Sequence, residues 1–216
     1  MNKQEEFEIF LNQELDKSKQ RVSELVKTHE NVSDKQAKKI LGNYGVAIGN
    51  NFVPWMVHAY ANANSKVSKA YLLENLDEEI HGNHPRMLRD FLADAGVVIG
   101  MDNYFDVSKP VADMNKLVYG CSFSSNIVAT TLENVSPVFI PYIANLAKQL
   151  GSKNFTYTDV HGEADIVHAE QAFKGSIQEM MYKKCLCPAD KKVASTIDKT
   201  TGFLEQILSP VYIAKK

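Results

Sequence analysis

The residues best suited to chemistry lie in one short segment, His161-Gly162-Glu163-Ala164-Asp165-Ile166-Val167-His168. His161, Asp165 and His168 stand at i, i+4 and i+7. At about 100° per residue in a helix, the second and third lie roughly 40° and −20° from the first, so all three project from one face. Two imidazoles and a carboxylate on one stripe supply half of a transition-metal site. Ala164 and Ala169 beside them are small enough to let a neighbouring helix approach. The competing reading is a solvated polar face, or a core histidine with ordinary hydrogen bonds. At average composition, an Asp and a second His follow a given His at this spacing only about once in several hundred tries. The segment therefore reads as metal-binding.

One helix cannot complete a coordination sphere, so other elements must contribute. Asn75-Leu76-Asp77-Glu78-Glu79-Ile80-His81-Gly82-Asn83-His84-Pro85 offers carboxylates and two further histidines. Acids suit a helix start better than a helix end, which sets this cluster apart from an ordinary charged surface. Glu133 lies in Ala129-Thr130-Thr131-Leu132-Glu133-Asn134-Val135, among mostly small or apolar residues. A carboxylate in such a helix either points to solvent or is buried against a cation or a partner.

The elements that position these groups all read as helices. Apolar spacing predicts an amphipathic helix over 3–27, then one over 34–61 capped by Ser33 or Asp34, with a kink or break near Pro54. Further helices are predicted over 65–80, 84–95, 110–150, 154–182 and 189–208, with 97–109 as a connection of partly β-branched character. Strand alternation and βαβ rhythm are missing. The expectation is an all-α bundle of about seven helices in a single domain spanning 1–216.

The chain has 216 residues, 24 Lys and Arg against 26 Asp and Glu, and a formal net charge of −2. No single-signed field argues for nucleic acid or an anionic membrane as partner. No run of eighteen apolar residues predicts a membrane span, and Met1-Asn2-Lys3-Gln4-Glu5-Glu6 does not open a signal peptide. Three cysteines, Cys121, Cys185 and Cys187, do not form a disulfide framework, and a reducing cytoplasm is expected. Cys185 and Cys187 amount to half a soft-metal site at most. Trp55, with Phe52, Met56 and Tyr60, reads as core that partly lines a cavity. The lysines at 17, 19, 27, 35, 38 and 39 read as a solvated face. Neither a phosphate loop nor a Gly-x-Ser-x-Gly elbow is present.

Taken in order, Asn-Leu-x-x-Glu, then His-Pro, then a Glu in an interrupted helix, then His-x-x-x-Asp-x-x-His resembles the haem-oxygenase-like di-iron oxidases and oxygenases. The likeness spans roughly residues 40–180. These share their helical fold with thiaminase-like and pyrroloquinoline-quinone-synthase-like proteins. The resemblance implies a ligand set of Glu79, His84, Glu133, His161, Asp165 and His168 around two Fe(II)/Fe(III) ions, with Mn as an alternative metal and O2 as co-substrate. It also implies a homodimer and oxidation of a small organic substrate such as an amino acid, a fatty acid or an aromatic precursor.

Three carboxylates beside two divalent cations leave a modest positive charge, and oxygen mixed with imidazole suits Fe or Mn. The loop between Glu79 and His84 is shorter than in relatives, which leaves Glu78 and His81 as a rival pair. The chlamydial p-aminobenzoate synthase, a relative, uses a tyrosine and a lysine near its metals. Here no lysine follows Glu133 before Lys148, so that reaction is not carried over. Two other readings stay open: a metal-free enzyme of the thiaminase or quinone-synthase kind, and a helical module that binds a partner protein.

Overall fold

The computed structural model describes the backbone of residues 2–182 and 189–210, and their side chains except at 163–166, 189 and 190. Cys185 and Cys187 lie outside the described residues. Among those described there are nine helices and no strand.

The first two helices begin where side chains can satisfy the free N–H groups of a first turn. α1 (Lys3–Thr28) starts with Asn2 and Glu5 in a reciprocal capping box, and α2 (Asp34–Ala47) with Ser33 and Gln36 in another. The helix expected over 34–61 is two helices, because the chain turns at 48–51 before α3 (Phe52–Asn62). Pro54 then falls in the first turn of α3, where its missing N–H costs no helical hydrogen bond.

α4 (Lys66–His81) and α5 (His84–Asp94) are joined by Gly82 and Asn83 alone. The segment expected to be a connection over 97–109 is mostly helix. α6 (Met101–Val118) opens at Met101, where the Asn103 side chain accepts from the Gly100 N–H at 3.0 Å. A turn at 119–121 separates it from α7 (Ser122–Gln149). α8 (Thr156–Met181) and α9 (Ala189–Ile207) complete the order. Splitting two predicted helices accounts for nine helices instead of about seven.

α7 is the axis of the bundle. It packs most extensively on α8 and also touches α1, α2, α3, α6 and α9. By length and composition alone α7 could cross a membrane, but 72% of its most apolar window is buried in the bundle, as befits a core helix. The main core joins Ile40, Leu41 and Tyr44 of α2, Phe91 of α5, Ile143 of α7 and Phe203 of α9. Trp55 and Met56 are core residues. The Trp55 indole N–H donates to Asn115 at 2.7 Å, and its ring lies 5.8 Å from that of Phe203. α7 and α8 also meet through polar groups: the Thr130 hydroxyl donates to the Ala172 carbonyl and lies 2.7 Å from the Ser176 hydroxyl.

Candidate metal centre

Four helices bring the predicted donors together. α4 supplies Glu79, α5 His84, α7 Glu133, and α8 His161 and His168. Glu79, His84, Glu133 and His168 are all buried, with exposures of 4–7%. Asp165 is in α8, but its side chain lies outside the described residues.

The tight α4–α5 turn returns His84 to Glu79. Asn83 takes the left-handed conformation (φ 57°), which Asn tolerates better than most residues. Gly82 leaves room for the imidazole, since a Cβ there would stand 2.7 Å from His84 Nε2. His84 Nδ1 thus lies 3.0 Å from Glu79 Oε1, and His161 Nε2 lies 3.5 Å from the same oxygen. Ligand atoms of these three residues all fall within 4.8 Å of one another, a spacing that suits a single cation. The His161 Nδ1–H donates to the Tyr157 carbonyl at 2.8 Å, so Nε2 is the nitrogen turned toward Glu79.

Glu133 occupies a special point on α7. Pro137 has no N–H to offer the Glu133 carbonyl, and the Ser136 hydroxyl donates to that carbonyl at 2.8 Å instead. The Glu133 carboxylate accepts from Asn75 Nδ2 at 2.8 Å, and its other oxygen lies 3.9 Å from His168 Nδ1. A second carboxylate–imidazole pair therefore lines the same pocket as the first trio.

Electrostatics keep Glu79 ready for a cation. Burial by itself pushes its carboxyl upward, but His161 and then His84 outweigh that effect through hydrogen bonds and charge, and bring the pKa down from 4.5 to about 2. A carboxylate depressed on folding adds stability that is complete above its unfolded pKa and fades as the pH falls through its folded one. Chelator-stripped protein should therefore lose thermal stability between about pH 4.5 and 2, and Glu79→Gln should flatten that limb of the Tm–pH curve. An unchanged acid limb in the variant would show that the two histidines do not hold Glu79.

The donors line a pocket of about 710 Å³ when the open solvent at its mouth is included. Ile48, Phe52, Val53, Leu88, Phe139 and Ile140 form its apolar wall. Tyr44 and Tyr157 also line it, with their hydroxyls 2.7 Å apart. The Tyr157 ring packs against His161, tilted by 42° with centroids 4.3 Å apart, and the His161 ring lies 4.7 Å from that of His84. Tyr157 stands one helical turn before His161, so extending the 161/165/168 stripe backwards was the signal that could have found it. Tyr44 carried no such mark. Of the rival pair, His81 is exposed and pairs with Asp77 at 2.8 Å, whereas Glu78 reaches His168.

Compared with known families, residues 46–186 match the one described as iron-containing redox enzyme, a span that includes every donor above. The chain belongs to this family. Its all-α bundle is the haem-oxygenase-like fold, and membership makes it an oxidoreductase that works with iron. No curated protein matches the chain.

Proposed function

We propose that this iron-containing redox enzyme is a non-haem di-iron oxidase or oxygenase that uses O2 to oxidise a small organic substrate. The observation that carries the reading is a surplus of buried donors. Glu79, His84 and His161 already suffice for the protein ligands of one ion, yet Glu133 and His168 line the same pocket. Asp165 falls on the same α8 stripe by sequence spacing. A lone Zn²⁺, content with four ligands, would leave this set over-supplied and anionic. Mixed carboxylate and imidazole ligation suits Fe, or Fe with Mn.

Bound Fe(II) would pass electrons to O2, two from a di-iron pair, with the remainder coming from the substrate or an added reductant. The chain's own residues do the rest. Glu79 remains ionised at neutral pH and offers charge without first losing a proton. Tyr157 fixes the His161 ring through its carbonyl and the contact of its own ring. The apolar wall favours a substrate with apolar or aromatic surface and limits water near the donors. The hydrogen-bonded Tyr44 and Tyr157 hydroxyls are polar groups available to orient such a substrate or pass it a proton.

Anaerobic Fe(II) loading followed by elemental analysis and an oxygen electrode tests this reading. About two iron ions per chain and measurable O2 uptake are expected. A stoichiometry near one, or iron uptake without oxygen use, would refute it. Failure to take up any metal would favour the metal-free alternative.

A further inference from the structure

One carboxylate outside the expected ligand set reaches the centre. Glu78 Oε2 lies 2.9 Å from His168 Nε2, while Nδ1 of the same ring faces Glu133 Oε2 at 3.9 Å. Glu78 and Glu79 are neighbours on α4, and successive helical side chains diverge by about 100°. They therefore meet different parts of α8: Glu79 meets His161, and Glu78 meets His168 two turns further along. Their surroundings differ as well. The Glu78 side chain is 46% exposed and the Glu133 side chain 5%. At that rim Glu78 keeps much of its hydration, so its charge costs little.

An imidazole that binds a cation through one nitrogen keeps its single proton on the other, and the acceptor of that proton fixes the ring. In His161 the Tyr157 carbonyl takes the Nδ1 proton and Nε2 faces the donors. In His168 the pattern is reversed, because the outward nitrogen is Nε2. We propose that Glu78 is a positioning residue: it accepts the Nε2 proton of His168 and holds the ring with Nδ1 aimed at the cation beside Glu133. A carboxylate in this position also makes the imidazole a stronger donor than a carbonyl would. The inference rests on the di-iron reading and assigns Glu78 to the second of the two ions.

Anaerobic Fe(II) titration against a competing chelator separates the two ideas. Wild type, Glu78→Ala and Glu78→Gln would be compared, with far-UV circular dichroism confirming that each variant is folded. In Glu78→Ala the second iron should bind about 10–100-fold more weakly, with the first left within about threefold of wild type. Glu78→Gln retains an oxygen that can accept from Nε2, so its second-site affinity should lie between those of wild type and Glu78→Ala. Wild-type affinity in Glu78→Ala would overturn the role. Equal loss in both variants would overturn it too, by marking Glu78 as a direct ligand. A wild type that holds fewer than two irons would sink the di-iron reading itself and this assignment with it.

Discussion

Replacing Glu133 by Gln should remove one iron per chain and cut O2 uptake by more than about 100-fold, since partners one step outside a metal's ligands already cost 10–100-fold. The substitution changes charge with little change in shape. Asn75 Nδ2, which donates to Glu133 Oε1 at 2.8 Å, can donate to the amide oxygen just as well. Glu133→Ala is the less informative variant, because it strands the buried Asn75 amide at a cost of about 1–3 kcal/mol. Stability should move the opposite way from function. A buried carboxylate is costly to desolvate even with Asn75 and His168 beside it, and Gln lowers that cost. Chelator-stripped Glu133→Gln should melt at or above the wild type, while the rise in Tm on adding Fe(II) should shrink. Calorimetry with and without Fe(II), run beside elemental analysis, reads both effects. Retention of about two irons would remove Glu133 from the ligand set.

Why Glu133 could be nominated from sequence and Asn75 could not be paired with it is a matter of distance along the chain. Local periodicity reports what one helix presents on one face. It therefore pointed to His161 and His168 on one face of α8, to the α2 cap, and to an acid in an apolar stretch. It says nothing of how helices rotate against one another. Asn75–Glu133, Glu78–His168 and Tyr44–Tyr157 are contacts between different helices, and each depends on such rotations.

Helix breaks were hidden for a related reason. Pro54 looked like the break, but Pro is tolerated in a first turn, and the chain turns just before it at 48–51. β-branched Val97, Val98 and Ile99 disguised the approach to α6. The Asn103 side chain that satisfies the Gly100 N–H was the overlooked start signal. Of the three helix breakers within the predicted 110–150 helix, Gly120 does fall at a break, the turn between α6 and α7, but α7 continues through Pro137 and Pro141. Burial on several sides holds it, and Ser136 serves the Glu133 carbonyl that Pro137 cannot.

Phe91→Ala should produce the largest loss of stability, because Phe91 joins the core to the metal centre. It is 0% exposed, and its ring lies 5.9 Å from that of Tyr157. Tyr157 in turn packs against the His161 ring and hydrogen-bonds to the Tyr44 hydroxyl. Truncating a buried Phe costs about 3–5 kcal/mol, through lost transfer energy and the cavity that remains. For a chain of this size each kcal/mol is worth about 2–4 °C, so Tm should fall by roughly 6–20 °C. The same cavity frees the Tyr157 ring to tilt away from His161, so iron affinity should weaken as well, though by less than in Glu133→Gln. Phe91→Leu refills most of the space and should recover most of both losses. Adding Fe(II) should raise the Tm of Phe91→Ala, since a ligand that binds only the folded state stabilises it. A Tm change below about 3 °C would mean that the cavity had collapsed, and that Tyr157 is held by Tyr44 and His161 without help from α5.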